Sequence, residues 1–409
     1  MIALNLLGDL APAGLRGVAI DADSHPAAPP PLTLANLELP FCSAALAPAT
    51  KAGPSLRCDP QLLPAFAAAW PGLVVTLANN HAMDFGAEGL TETLAAARAT
   101  GLQPFGAGAT LVDATAPLIV MRGGMRLGLL AATDRWFGVA TSDSAGVCPL
   151  DPGIFARIRL LRESTDRVIV SVHGGGEMSP WPSPSWQQRL RSLVEAGADV
   201  VHGHHPHLPL GWERWQQGWI FYGLGNTLVN PARWATSPAA LRSWRVQLDL
   251  ADPVRPPRVA EWECRASAAD TGGLRCVRSD ISATDTTVAE LNGPLTDPPL
   301  LEGLHQEYAL RLWQNFYADR LNPGDTGTRR LRLAVRTVRD TALAAIRPAR
   351  WARQRRDRGL FYYHLFSAAT HAEEIATALG VLHGELPDRR NARTHALAAS
   401  WLPAAHFPK

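Results

Sequence analysis

Ala198-Asp199-Val200-Val201-His202-Gly203-His204-His205-Pro206-His207 is an apolar run that passes without a break into a histidine-rich loop. The apolar half reads as a buried β-strand. The other half carries four histidines in six residues. Imidazole is largely uncharged at neutral pH and is the commonest side-chain ligand for transition metals. As packing, each ring would need its own hydrogen-bond partners. The block therefore reads as ligands placed at the end of a strand rather than as a polar turn.

The same juxtaposition recurs elsewhere. Ile2–Leu7 leads to Asp9, Leu32–Leu37 to Glu38, and Leu73–Ala78 to Asn79-Asn80-His81. Val168–Val172 leads to His173-Gly174-Gly175-Gly176-Glu177, and Arg126–Ala131 and Trp219–Gly223 read as further strands. Helical patterns over Ala87–Thr100 and Ser185–Ala196 are each followed by a stopping glycine, Gly101 and Gly197. Strand–helix alternation of this kind predicts an α/β fold, where sites gather outside the carboxyl ends of strands. Arg245–Leu250, Val259–Arg265 and Leu274–Val277 alternate like antiparallel strands of a second sheet region. Ser279 to Pro299, rich in Asp, Thr and Pro, reads as a linker. Beyond it come a helical pattern with Tyr308, Trp313, Phe316 and Tyr317, a basic stretch from Arg329 to Arg358, and an apolar helix over Phe361–Leu382. The expected domains are 1–278, a linker at 279–299, and a helical region at 300–409.

Composition narrows the function classes. The 409 residues allow two or three domains, and 46% hydrophobic against 19% charged content suits a buried core. A formal charge of +2 speaks against a nucleic-acid binder. Cys42, Cys58, Cys148, Cys264 and Cys276 have neither zinc-clip nor redox spacing and read as reduced thiols. The start of the chain has no secretory pattern, and no run reaches the roughly 18 apolar residues of a membrane span, so a cytoplasmic location is expected. Mixed oxygen and nitrogen donors favour manganese, iron or zinc over calcium. So many ligands suit two ions about 3.5–4 Å apart, bridged by a carboxylate.

In order, Gly8-Asp9, Asn36-Leu37-Glu38, Asn79-Asn80-His81 with Asp84 and Gly86, Gly106-Ala107-Gly108, His173-x-Gly175-x-Glu177, Gly203-His204-His205-Pro206-His207 and Gly223-Leu224-Gly225-Asn226 resemble the capsule-synthesis CapA family over residues 2 to 265. That family is itself similar to calcineurin-like metallophosphatases. The resemblance implies a metallophosphatase-like two-sheet α/β sandwich, here with a C-terminal helical extension. It implies Asp9, Glu38, Asn80, His173, His205 and His207 as ligands of a dinuclear centre. His81 would face substrate, oriented by Asp84, with Glu177 a candidate acid or base and Asn226 a site-lining amide. It further implies a metal-dependent hydrolase or transferase of capsule or poly-γ-glutamate biosynthesis, in which activated water attacks a phosphoryl or acyl centre. An anionic polymer or its precursor, and a synthase, would be the partners. The chain departs from the wider pattern at the first strand, where Asp-x-His is replaced by Asp9-Leu10-Ala11, and Glu38 stands in place of an aspartate. Those departures keep a second reading open: a non-catalytic scaffold that binds polymer or a synthase. Trp181, Trp186, Trp212, Trp215 and Trp219 surround the histidine blocks, as packing or as the walls of a substrate groove.

Overall fold

Apolar strands that would strand their backbone in a core must pair, and in residues 1–49 and 55–301 the described strands build two large sheets and one two-stranded ribbon within one compact unit. The computed structural model describes residues 2–20, 31–134, 137–268, 271–282, 284–321 and 346–402. The larger sheet has nine strands. Its centre is Ala3–Ala11, flanked by parallel Leu32–Leu37 and then by Val74–Thr76 and Gln103–Phe105. On the other side of Ala3–Ala11, Arg242–Asp249, Arg258–Ala268 and Thr271–Ile281 add antiparallel strands. The three strands expected in a second sheet region therefore belong to the first sheet. Leu4, Leu6, Val246 and Leu248 pair across that junction, so the first strand recruits a ribbon more than 200 residues away.

The second sheet has six strands, with Val200–His204, Arg167–His173 and Met125–Thr133 parallel at its centre. One core packs Leu7, Leu10, Leu37 and Leu228 of the first sheet against Phe41, against Leu63 and Phe66 of the helix Leu63–Ala69, and against Leu90 and Ala97 of the helix Gly86–Ala99. The helices Gly86–Ala99 and Pro184–Glu195 fall where their periodicity places them.

The expected linker is not one. Residues 279–299 hold the end of the strand Thr271–Ile281, the helix Thr286–Asn292, the turn Gly293–Thr296 and the start of Pro298–Leu312. The Asp and Thr content is capping chemistry: Asp285 accepts from Thr287 N at 3.0 Å at the helix start. Val288 and Leu291 are buried, and the carbonyls of Glu290 and Leu295 accept from Trp181 and Gln187. The first unit thus runs to Leu301.

The second unit comprises residues 50–54 and 302–409. Its helices Pro348–Ser367, Ala369–His383 and Ala392–Trp401 gather Tyr308, Leu312, Tyr317, Leu365, Ile375, Ala398 and Leu402 into a core of their own. Arg329, Arg330, Arg332, Arg336 and Arg339 lie outside the described residues, as does the side chain of Arg353; Arg350, Arg355 and Arg356 are exposed. No described helix is long and apolar enough to cross a membrane.

Candidate metal centre

Strand ends from both sheets meet at one buried place. Asp9 lies near the end of Ala3–Ala11, and Glu38 just beyond Leu32–Leu37. His173 ends its strand, and His205 and His207 follow Val200–His204. Gly8 permits the approach, because a Cβ there would sit 1.9 Å from Gly225 O. That contact lets Asp9 N donate to Gly225 O at 2.9 Å and sets Asp9 beside Asn226. His205 and His207 have φ of 99° and 59°. Non-glycine residues in that region are costly and tend to cluster at functional sites.

Donor atoms of Glu38, His173 and His205 lie within 4.8 Å of one another, and so do those of Asp9, Glu38 and His207. Glu38 is shared by the two triplets. Asn80 Oδ1 lies 2.9 Å from His173 Nε2. The six expected ligands are therefore brought together, with Asn80 attached through His173.

The chemistry of this donor set fits a cation. Glu38 is buried, and among the described residues no hydrogen-bond donor reaches either of its oxygens. Asn226 donates Nδ2–H to Ala240 O at 2.9 Å, so its Oδ1 faces His207 Nδ1 at 3.0 Å and must accept from it. His207 Nε2 stands 3.7 Å from Glu38 Oε1. His173 Nε2 stands 3.8 Å from the same oxygen. Two atoms each about 2.0–2.2 Å from one ion lie about 3–4 Å apart, so these spacings suit shared coordination.

The electrostatics agree. Burial pushes the Glu38 carboxyl well above its usual range, and the charges of Asp9 and Glu177 push it further. Burial would also raise Asp9, but the His204 hydrogen bond and the charges of His204 and His207 outweigh it and leave Asp9 lowered. Burial lowers His173 well below an ordinary histidine, reinforced by His205. A neutral imidazole is the form that binds metal.

His81 stands at the rim, about one-seventh exposed, with Nδ1 2.8 Å from Asp84 Oδ2. Asp84 is fully buried and also accepts from Leu56 N at 2.7 Å. Glu177 is half-buried and close enough to act on Glu38 through its charge. Asn79 is turn chemistry: its Oδ1 accepts from His81 N and Ala82 N, while Nδ2 donates to Asn36 Oδ1 and Leu37 O. Trp181, Trp186 and Trp212 are buried and serve packing, with Trp186 against Gly174 and Gly175.

Three residues without an assigned role in the sequence reading are built into the site. Asn36 donates to Asp9 Oδ1 at 2.9 Å and lies 3.3 Å from His173 Nδ1. His202 and His204 are buried, and His204 Nδ1 meets Asp9 Oδ1 at 2.9 Å. The signal was spacing by two: Asn36 with Glu38, and His202 with His204, share a strand face.

Fold and site define a class: an α/β two-sheet protein with a buried histidine–carboxylate cluster at facing strand ends. Residues 28–231 match the family described as "Bacterial capsule synthesis protein PGA_cap". The capsule biosynthesis protein CapA of Bacillus anthracis is 32% identical over 181 residues, 42% of this chain and 44% of that protein. The PGA biosynthesis protein CapA of Bacillus subtilis (strain 168) is 34% identical over 179 residues, 42% of this chain and 47% of that one. A probable polyglutamine synthesis accessory protein of Mycobacterium tuberculosis is 35% identical over 188 residues, covering 42% and 49%. The chain thus spans about half the length of the relatives it matches. Among solved structures, a 5'-nucleotidase precursor from Thermus thermophilus aligns with a TM-score of 0.39 at 13% identity, over 76% of this chain and 67% of that one. A hypothetical protein from the same organism aligns at 0.32 and 15% identity, over 68% and 99%.

Proposed function

We propose that the first unit is a metal-dependent hydrolase or transferase of capsule, poly-γ-glutamate or related polymer biosynthesis. Buried Glu38 carries the reading: a carboxylate that no hydrogen-bond donor reaches among the described residues, shared by two triplets of candidate metal donors, suits a cation better than an apolar core. Glu38, His173, His205 and Asn80 would hold one ion, and Asp9, Glu38 and His207 another, with manganese, iron or zinc fitting these donors. Bound there, such ions would supply activation of water and stabilisation of charge developing on a phosphoryl or acyl oxygen. His81, held through Nδ1 by Asp84, keeps Nε2 for a proton to the leaving group. Glu177 at the rim is a second proton carrier. The names of the relatives support a polymer role, with an anionic polymer or precursor as substrate and a synthase as partner. Exposed Arg350, Arg355 and Arg356 suit contact with such an anion.

Elemental analysis of protein purified without chelator should find one to two equivalents of metal. A panel of phosphoester and γ-glutamyl substrates should then give turnover that depends on His81. Protein that stays folded yet takes up no manganese, iron or zinc would sink this reading. One observation favours a second reading, a polymer-binding scaffold: Ala11 stands where a first-strand histidine ligand is expected. A scaffold would keep polymer binding when Asn80 and His81 are replaced by Ala.

A further inference from the structure

Asp9 is gripped on one oxygen from two directions. Its Oδ1 accepts from Asn36 Nδ2 at 2.9 Å and meets His204 Nδ1 at 2.9 Å. His204 Nε2 lies 3.3 Å from His202 Nδ1, with the ring centroids 4.0 Å apart. His202 is anchored in turn. A carbonyl only accepts, so its Nε2–H donates to Leu7 O at 2.9 Å, while Ser171 Oγ lies 3.4 Å from Nδ1. Leu7, Asp9, His202 and His204 are all buried. The two histidines alternate along Val200–His204 and so share a face, with Ser171 paired to His202 and His173 to His204. The whole forms a bracket. It starts on the first strand's backbone, crosses to the second sheet, and returns to the first strand's carboxylate.

Both hydrogen bonds to the Asp9 side chain among the described residues fall on Oδ1. Oδ2 is the oxygen 3.6 Å from His207 Nδ1, on the side of the triplet with Glu38. His204 Nδ1 is held on Asp9 and Nε2 faces His202, and among the described residues neither donor triplet includes His204, so it does not replace the histidine missing at Ala11. With that ligand absent, the aim of Asp9 carries more of the site.

We infer that His204, braced by His202, is a positioning residue that fixes which oxygen Asp9 turns to the candidate centre. This rests on the metal reading above. It adds residues that bind nothing themselves but orient a ligand, as outer partners of metal ligands commonly do.

The test compares His204→Asn with His204→Gln in the full chain, by calorimetric titration with Mn²⁺ and thermal unfolding in chelator. The Asn amide reaches the place of Nδ1 and can still donate to Asp9. The Gln amide reaches the place of Nε2 and keeps only the contact with His202. Gln should weaken one Mn²⁺ site by about 10–100-fold, the usual cost of a lost outer partner, and spare the other. Asn should stay near wild type. Both should unfold at similar temperatures in chelator, which separates orientation from general destabilisation. His202→Gln keeps a donor for Leu7 O, loses the brace on His204, and should weaken the same site by less. Equal affinity of wild type and His204→Gln, or equal losses in the Asn and Gln variants, overturns the inference and leaves the metal reading standing. Wild-type protein that binds no Mn²⁺, iron or zinc overturns both. Should His204→Gln fail to fold, the His202→Gln result decides.

Discussion

Glu38→Gln should make the metal-free protein more stable and erase its response to metal. The carboxylate is buried, no donor reaches it among the described residues, and both donor triplets use it. Burial, then the charges of Asp9 and Glu177, raises its pKa well above the usual carboxyl range. The sign follows from linkage. The folded chain holds this proton more tightly than the unfolded chain, so metal-free stability falls as pH rises above the ordinary carboxyl value and levels off only beyond the raised one. Glutamine has no such proton, and its amide can donate to Asp9. A buried acceptor without a donor costs about 1–3 kcal/mol, more when charged. In chelator at pH 8 the variant should therefore gain about 1–3 kcal/mol, at about 2–4 °C per kcal/mol for a unit of this size. Near pH 4 the difference should close. With Mn²⁺ at about 100 times its dissociation constant, wild type should gain about 2.7 kcal/mol and the variant little. Scanning calorimetry with chelator and with Mn²⁺ should show the order of stabilities reverse. A variant less stable than wild type in chelator by more than about 1 kcal/mol, the ordinary loss for a point mutation, would refute the picture of Glu38 as an acceptor held for a cation.

Other outcomes follow from the same contacts. His205→Ala and Asn80→Ala should each lower metal content, whereas His81→Ala should keep the metal and lower turnover by about 10²–10⁴-fold, as measured by elemental analysis and steady-state rates. A chain cut after Ser282 loses the acceptors for Trp181, Gln187 and Trp212 N on residues 290–295. It should melt below one ending at Leu301, by about 0.5–1.5 kcal/mol for each hydrogen bond lost. In the second unit, burial, then the charges of His371 and Lys51, depresses His364 to about 4. A depressed histidine stays neutral when folded, so its contribution is full above about pH 6.5 and lost as pH falls towards 4. That window should remove up to about 3 kcal/mol, and His364→Gln should flatten the pH dependence of the unit's unfolding.

The strands and their terminal donors were legible because both signals are local: an apolar run, then a polar residue where the chain leaves the sheet. Sheet membership was not, because Arg242–Asp249 joins Ala3–Ala11 through pairing across most of the first unit, which no local pattern encodes. The linker expectation failed for a different reason. Asp, Thr and Pro are depleted from helix interiors but enriched at helix starts, so Asp285-Thr286-Thr287 and Pro298-Pro299 look alike as spacer and as caps. The burial of Val288 and Leu291, with the bonds accepted by Glu290 O and Leu295 O, distinguishes the two.

The histidine block shows most sharply what a sequence withholds. In a strand, alternate side chains share a face, and that period governs His202 and His204, which reach Leu7 O and Asp9. At His205 the backbone turns to φ of 99°, Pro206 follows, and His207 takes φ of 59°. The period of two is broken there, and His205 and His207 enter the two triplets. The four rings are chemically identical, so composition cannot divide the pair that reaches Leu7 O and Asp9 from the pair that enters the triplets. The division lies in where the strand stops, and Gly203 helps set that point: a Cβ on it would come within 2.5 Å of Tyr222 O, so the strand lies against the next backbone up to His204. A side chain at 203 would push that strand end away, and with it the grip of His204 on Asp9. Gly203→Ala should therefore weaken metal binding although it removes no donor atom. Calorimetric titration with Mn²⁺ would show it, and an unchanged affinity would mean that the bracket tolerates a displaced strand end.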